Sequence, residues 1–93
     1  MKMRKQINNS KIKKLVNANY VNNYVVELCF DDGVVQQIDF GNFLYKHPHP
    51  QYDKYRDLKK FKQFKIERNN IVWGKNWDLI FDLWDLYKGR SPK

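Results

Sequence analysis

A single cysteine, Cys29, stands in this 93-residue sequence, which excludes an internal disulfide and a thiolate metal cluster. Histidine is almost as scarce. His47 and His49 share one Pro-punctuated loop, Lys46-His47-Pro48-His49-Pro50. A catalytic thiol wants a His partner, so Cys29 is expected to be a small apolar thiol in a half-buried strand. The alternating His47 and His49, with Asp53 as a sequence neighbour, have no obvious third ligand, and zinc needs three or four. Four glycines form no phosphate loop and no nucleophile elbow. No apolar run approaches the roughly 20 residues of a membrane span, and the basic N-terminus has no apolar signal-peptide core. The expectations are a soluble, cytoplasmic protein without metal or cofactor. The only enzyme candidates, His47, His49, Asp53 and Cys29, are too few for a catalytic constellation.

Charge of one sign is missing from whole segments. Residues 1–14 carry six positive charges and no acid, whereas residues 15–45 carry four acids and no Lys or Arg. Residues 46–68 return to eight positives against three acids. The net charge of +8 is therefore segregated, which points to a polyanion or to an acidic protein surface as partner. A solvated basic surface that aids solubility is the plainer explanation.

What the chain does have is rings and a hairpin. Phe, Trp and Tyr make up 16% of it, so a core of large aromatic side chains is expected. Two apolar runs flank Asp31-Asp32-Gly33, a strong hairpin signal. A three-residue loop pairs Phe30 with Val34, Leu28 with Gln36, Val26 with Ile38 and Tyr24 with Phe40. It gathers seven apolar side chains and one Gln on one face, and a one-residue slip would scatter them. Gly33 then takes the left-handed conformation. A preceding strand is expected over 11–20, with Ile12, Val16, Ala18 and Tyr20 on one face. Asn22-Asn23 supplies the turn between them, completing an antiparallel meander.

After the meander, Phe43, Leu44 and Tyr45 suit a short helical turn under the sheet. The spacing of Tyr55, Leu58, Phe61 and Phe64 predicts a helix over 52–64 with Asp53 as N-cap. Its other positions hold Lys54, Arg56, Lys59, Lys60, Lys62 and Lys65, the densest run of cations in the chain. Two short strands, 64–67 and 70–73, follow, joined by an Asn-rich turn and ended by Gly74. A last helix is predicted over 77–87 and stopped by Gly89. Asp78, Asp82 and Asp85 fall on one stripe of it, best read as a solvated face, and nearly all the rest is apolar. That arc is wider than one sheet covers, so Trp77, Phe81, Trp84 and Tyr87 are candidate interface residues. Residues 1–10 read as a frayed basic arm and 90–93 as a tail, so one α+β domain spans 11–89.

The ordered set of Ile12-Lys13-Lys14, the hairpin with F-D-D-G, Ile38-Asp39-Phe40, Tyr55-Arg56-Asp57 leading to Phe61, and Ile71-Val72-Trp73 with Asn76 and Asp78 resembles the small prokaryotic family called domain of unknown function 2442. The resemblance covers about residues 11–79. Trp77 departs from the family's W-x-N-G-x-D-L by standing where a small residue is expected. The resemblance implies a compact α+β domain and no activity. It also implies stand-alone small proteins, some encoded beside small partners in arrangements like toxin–antitoxin pairs. Some members carry an appended DNA-binding domain, but no helix-turn-helix is evident here. Two expectations follow. The first is a non-enzymatic module binding a protein partner, or a second copy, through the last helix, with Lys59, Lys60 and Lys62 steering an acidic partner. The second is a nucleic-acid accessory protein whose six cations and N-terminal arm contact phosphates.

Overall fold

A computed structural model describes residues 14–93. Strands β1 (Leu15–Asn22), β2 (Val25–Phe30) and β3 (Val35–Asp39) form one antiparallel sheet in that order. Helices α1 (Gly41–Lys46) and α2 (Pro50–Asp53), a 3-10 turn (Lys54–Arg56) and α3 (Leu58–Phe61) follow. A second antiparallel sheet holds β4 (Lys65–Glu67), β5 (Asn70–Trp73) and β6 (Leu79–Ile80), and the short helix α4 (Leu83–Tyr87) comes last. The architecture is α+β, as the pattern of the sequence indicates.

The hairpin has the expected register. Val26 pairs with Ile38 and Leu28 with Gln36, while the Phe30 amide donates to the Val34 carbonyl at 2.9 Å. Gly33 has φ +91°, as a three-residue loop ending in a left-handed residue requires. Val26, Leu28, Phe30, Ile38 and Phe40 are buried on the collected face. Gln36, the one polar member of that face, donates from Nε2 to the Tyr87 carbonyl at 2.7 Å and so satisfies an orphan carbonyl at the end of α4. Asn23 supplies the β1–β2 turn with φ +44°, and Arg68 and Asn69 close the β4–β5 turn with φ +51° and +69°.

Three expected elements need correction. In β1 a register shift between Leu15 and Asn17 turns Leu15 into the core and leaves Val16 exposed. Ile12 lies outside the described residues, as does the proposed arm 1–10.

The predicted helix over 52–64 is three pieces. Its N-cap is not Asp53. His49 caps α2, its Nδ1 accepting from the Gln51 amide, and Asp57 caps α3, accepting from the Lys59 amide. Asp57 is extended (φ −72°, ψ 117°), which breaks the stripe. Tyr55 and Phe61 stay buried while Leu58 is exposed.

The predicted helix over 77–87 is likewise helical only over its last five residues. Leu79 and Ile80 pair with β5, one buried and one exposed, and Asp82 caps α4 by accepting from the Trp84 amide at 2.9 Å. The wide apolar arc is thus a strand followed by a helix, each with its own buried side.

Against the expectation of a core made of large rings, nine of the fourteen buried hydrophobic side chains among the described residues are aliphatic, and the rings cluster around Trp73. Trp73 is fully buried, with ring centroids of Phe40, Phe61, Phe64 and Phe81 at 5.0, 5.5, 6.1 and 6.1 Å. Its Nε1 donates to the Phe61 carbonyl at 2.7 Å, which fixes α3 against β5. The last residues are tied down rather than trailing. The Ser91 hydroxyl accepts from the Asp39 amide, and the Lys93 carbonyl lies 2.8 Å from His47 Nε2.

Candidate functional site

The exposed end of this aromatic core is a surface built from three tyrosines and a run of cations. Tyr20 sits in β1, Tyr24 in the β1–β2 turn and Tyr45 in α1. Phe61, buried beneath them, packs edge-on against Tyr20 at 6.4 Å and Tyr24 at 5.2 Å, and Tyr24 meets Tyr45 at 5.8 Å. The Tyr24 hydroxyl donates to the Arg56 carbonyl and lies 3.1 Å from the Tyr45 hydroxyl. Burial, reinforced by the Tyr45 hydroxyl, pushes the Tyr24 phenol up to about 12.

Arg56 is fixed from several sides. Its Nε donates to the Leu44 carbonyl at 3.1 Å, its guanidinium stands 5.0 Å from the Tyr45 ring centroid, and Asp53 is 3.5 Å away. Tyr45 itself is 59% exposed. Lys62 Nζ lies over the Tyr20 ring at 4.6 Å. Lys59 and Lys60, exposed on α3, form no ion pair among the described residues.

Lys54 and Lys65 belong elsewhere. Lys65 pairs with Glu67 at 3.0 Å. Lys54 pairs with Asp78 at 2.8 Å, and Asp78 also accepts from the Tyr55 hydroxyl at 3.0 Å. Lys54 and Tyr55 donate to Asp78 and hold its carboxyl below the usual range, while burial raises the Tyr55 phenol. The six cations singled out in the sequence therefore split. Arg56 and Lys62 touch the tyrosines, Lys59 and Lys60 are exposed on the same short helix as the underlying Phe61, and Lys54 and Lys65 pair with Asp78 and Glu67.

The structure does not bring the four aromatic interface candidates together. Trp77 lies in the turn before β6, with Nε1 donating to Glu67 and Arg68 over its ring at 5.6 Å. Its φ of +55° falls in the region glycine takes without strain, at the position where the resemblance expects a small residue. Phe81 is half-buried and packs against Phe40 and Phe43 at 5.2 and 5.0 Å. Tyr87 packs on Phe30 at 5.1 Å, and its hydroxyl donates to Asp32 at 2.6 Å. Only Trp84 among the four is strongly exposed, at 45%.

The Asp stripe dissolves as well. Asp78 holds Tyr55 and Lys54, Asp82 caps α4, and Asp85 pairs with Arg90 at 3.3 Å. His47 stacks on Phe43 at 4.5 Å, and Cys29 is half-buried between Asn17 and Val35. Among the described residues no three His, Cys, Asp or Glu side chains converge to hold a metal ion. No helix among them is long and apolar enough to cross a membrane.

Comparison with protein families, curated proteins and solved structures gives no match.

The raised Tyr24 phenol carries a pH prediction. Unfolded Tyr ionises near pH 10, so the stabilisation from neutral Tyr24 is full below pH 10 and is lost as pH rises towards about 12. Tyr55 and Lys54 are raised too and act in the same direction. Urea unfolding across this window should show wild-type stability falling more steeply with pH than that of Tyr24→Phe. Parallel curves would contradict the assignment.

Proposed function

We propose that this chain is a non-enzymatic interaction module that binds a protein partner through the surface formed by Tyr20, Tyr24, Tyr45 and Arg56, rimmed by Lys59, Lys60 and Lys62. One observation carries the reading: an exposed Tyr45 with Arg56 locked over its ring, on a base of buried Phe61 and Trp73. Interface centres are enriched in Tyr and Arg, and such anchors bind best when their rotamers are already fixed. The lysine rim supplies steering towards acidic surfaces. This replaces the last helix as the binding face, since Phe81 and Tyr87 are engaged within the fold.

Nucleic acid is the weaker reading. Asp53 and Asp57 lie within the same surface, beside Arg56 and Lys59, and would repel an evenly charged phosphate backbone. The family resemblance directs the search for the partner to adjacent small genes, as in a two-gene pair.

Co-expression with the products of the neighbouring genes tests this. A partner should co-purify with wild type. Tyr45→Ala should weaken the complex by about 30-fold, the loss of a hot-spot anchor of about 2 kcal/mol. Trp84→Ala should leave it intact. A complex indifferent to Tyr45→Ala, or one that needs Trp84 instead, would move the site elsewhere. The absence of any complex with those products would sink the proposal.

A further inference from the structure

Resting on that surface as the binding site, we infer that its partner presents an acidic segment with an apolar residue beside the carboxylates. The two halves of the surface differ in charge. On the α3 side, the exposed Lys59 and Lys60 have no carboxylate partner among the described residues, and Lys62 Nζ rests only on the Tyr20 ring. Asp57, whose carboxylate caps α3 through the Lys59 amide, keeps its negative charge, so three lysines against one carboxylate leave this half net positive. On the α1 side, Asp53 already answers the Arg56 charge, and the guanidinium lies against Tyr45. The Tyr24 hydroxyl is occupied by the Arg56 carbonyl and its ring by Phe61. A ligand therefore meets net positive charge at one side and a charge-neutral aromatic face at the other.

Carboxylates fit the first half and an apolar side chain fits the second. A nucleic-acid strand offers a negative charge at every residue and would set phosphates against Asp53 and Asp57. A polypeptide can place its acids on one half only. An apolar residue on Tyr45 gains the contact area an aromatic anchor provides, and acids over Lys59 and Lys60 set approach and orientation.

Fluorescence anisotropy with the full chain tests the pairing. The probes are a short Glu-rich peptide with one Phe, the same peptide with Gly for Phe, and a single-stranded DNA of equal charge. The Phe peptide should bind tightest. Lys59→Glu with Lys60→Glu should weaken it at least about tenfold. Lys75→Glu with Lys88→Glu, the same change in net charge away from the surface, should cost less than about twofold. Tyr45→Ala should erase the advantage of the Phe peptide over the Gly peptide. Circular dichroism confirms that each variant is folded.

Equal losses from the two charge reversals would reduce the effect to net charge and overturn the inference. So would equal affinity for the two peptides, tighter binding of the DNA, or no binding of either peptide. If neither peptide binds while the co-purified partner still depends on Tyr45, the binding surface stands and only the acidic-segment inference falls.

Discussion

Trp73→Ala is expected to remove about 3–5 kcal/mol of stability, a large part of the roughly 5–10 kcal/mol that a chain of this size holds. The indole is the body around which both sheets and α3 meet. It is fully buried, four Phe rings contact it, and its Nε1 bonds the Phe61 carbonyl. Truncation to Ala leaves a cavity that four rigid rings cannot collapse into without leaving their rotamers. It also strands a buried carbonyl. Trp73→Phe separates these effects. It keeps a ring in place but leaves the Phe61 carbonyl unpaired, at a cost of about 1–3 kcal/mol. Urea unfolding should rank wild type above Trp73→Phe above Trp73→Ala. A loss below about 1 kcal/mol for the Ala variant would show that the rings pack without their centre.

Gly74→Ala should be the second most damaging single change. Gly74 has φ +87°, and a Cβ there would stand 2.6 Å from Asp78 Oδ2 and 2.7 Å from the Tyr55 hydroxyl. Two costs add: about 1–2 kcal/mol for an L-residue in the left-handed region, and the breaking of the Tyr55–Asp78–Lys54 cluster. Gly33 isolates the first. Its φ is +91°, yet a Cβ there meets nothing within 4 Å. Thermal unfolding of Gly33→Ala and Gly74→Ala should show the second drop exceeding the first by at least about 1 kcal/mol, or about 4–8 °C for a domain of this size. Equal drops would mean that Asp78 and Tyr55 simply swing away. Because Tyr55 precedes Arg56 in the 3-10 turn, displacing it also disturbs the guanidinium over Tyr45.

The hairpin was legible because two independent signals agree there. Its turn chemistry and its period-two apolar pattern select the same register. The two long helices predicted over 52–64 and 77–87 are absent; a helical period in apolar residues also arises when short pieces follow one another. Tyr55 and Phe61 keep helical spacing across a break at Asp57. Leu79 and Ile80 sit in a run that looks helical until Asp82 is taken as a cap. Asp57 and Asp82 are good N-cap residues, each followed by apolar residues, and weighing them as starts would have divided both segments correctly. The evenly spaced Asp78, Asp82 and Asp85 reinforced the error, because three different local duties happened to share a helical interval.

The candidate surface had no comparable signal. Tyr20, Tyr24 and Tyr45 come from three elements, and they meet only because Phe61 packs beneath Tyr20 and Tyr24 while Arg56 engages Tyr24 and Tyr45. Charge density did mark the right region of the chain. It did not separate Lys59, Lys60 and Lys62, which form no ion pair among the described residues, from the equally exposed Lys54 and Lys65, which pair with Asp78 and Glu67.

Strand β1 lies at the edge of its sheet, is eight residues long and carries no charged side chain. Such an edge invites other chains to add to it, and lysines or prolines commonly guard against that. Here the guard is geometric. Register shifts near both ends of β1 bend the edge, and the Ala18 amide is taken by the side chain of its own neighbour, Asn17, at 3.0 Å. The strand is thereby a poor template for fibril growth, although its sequence, rich in β-formers and Asn, would otherwise suit one.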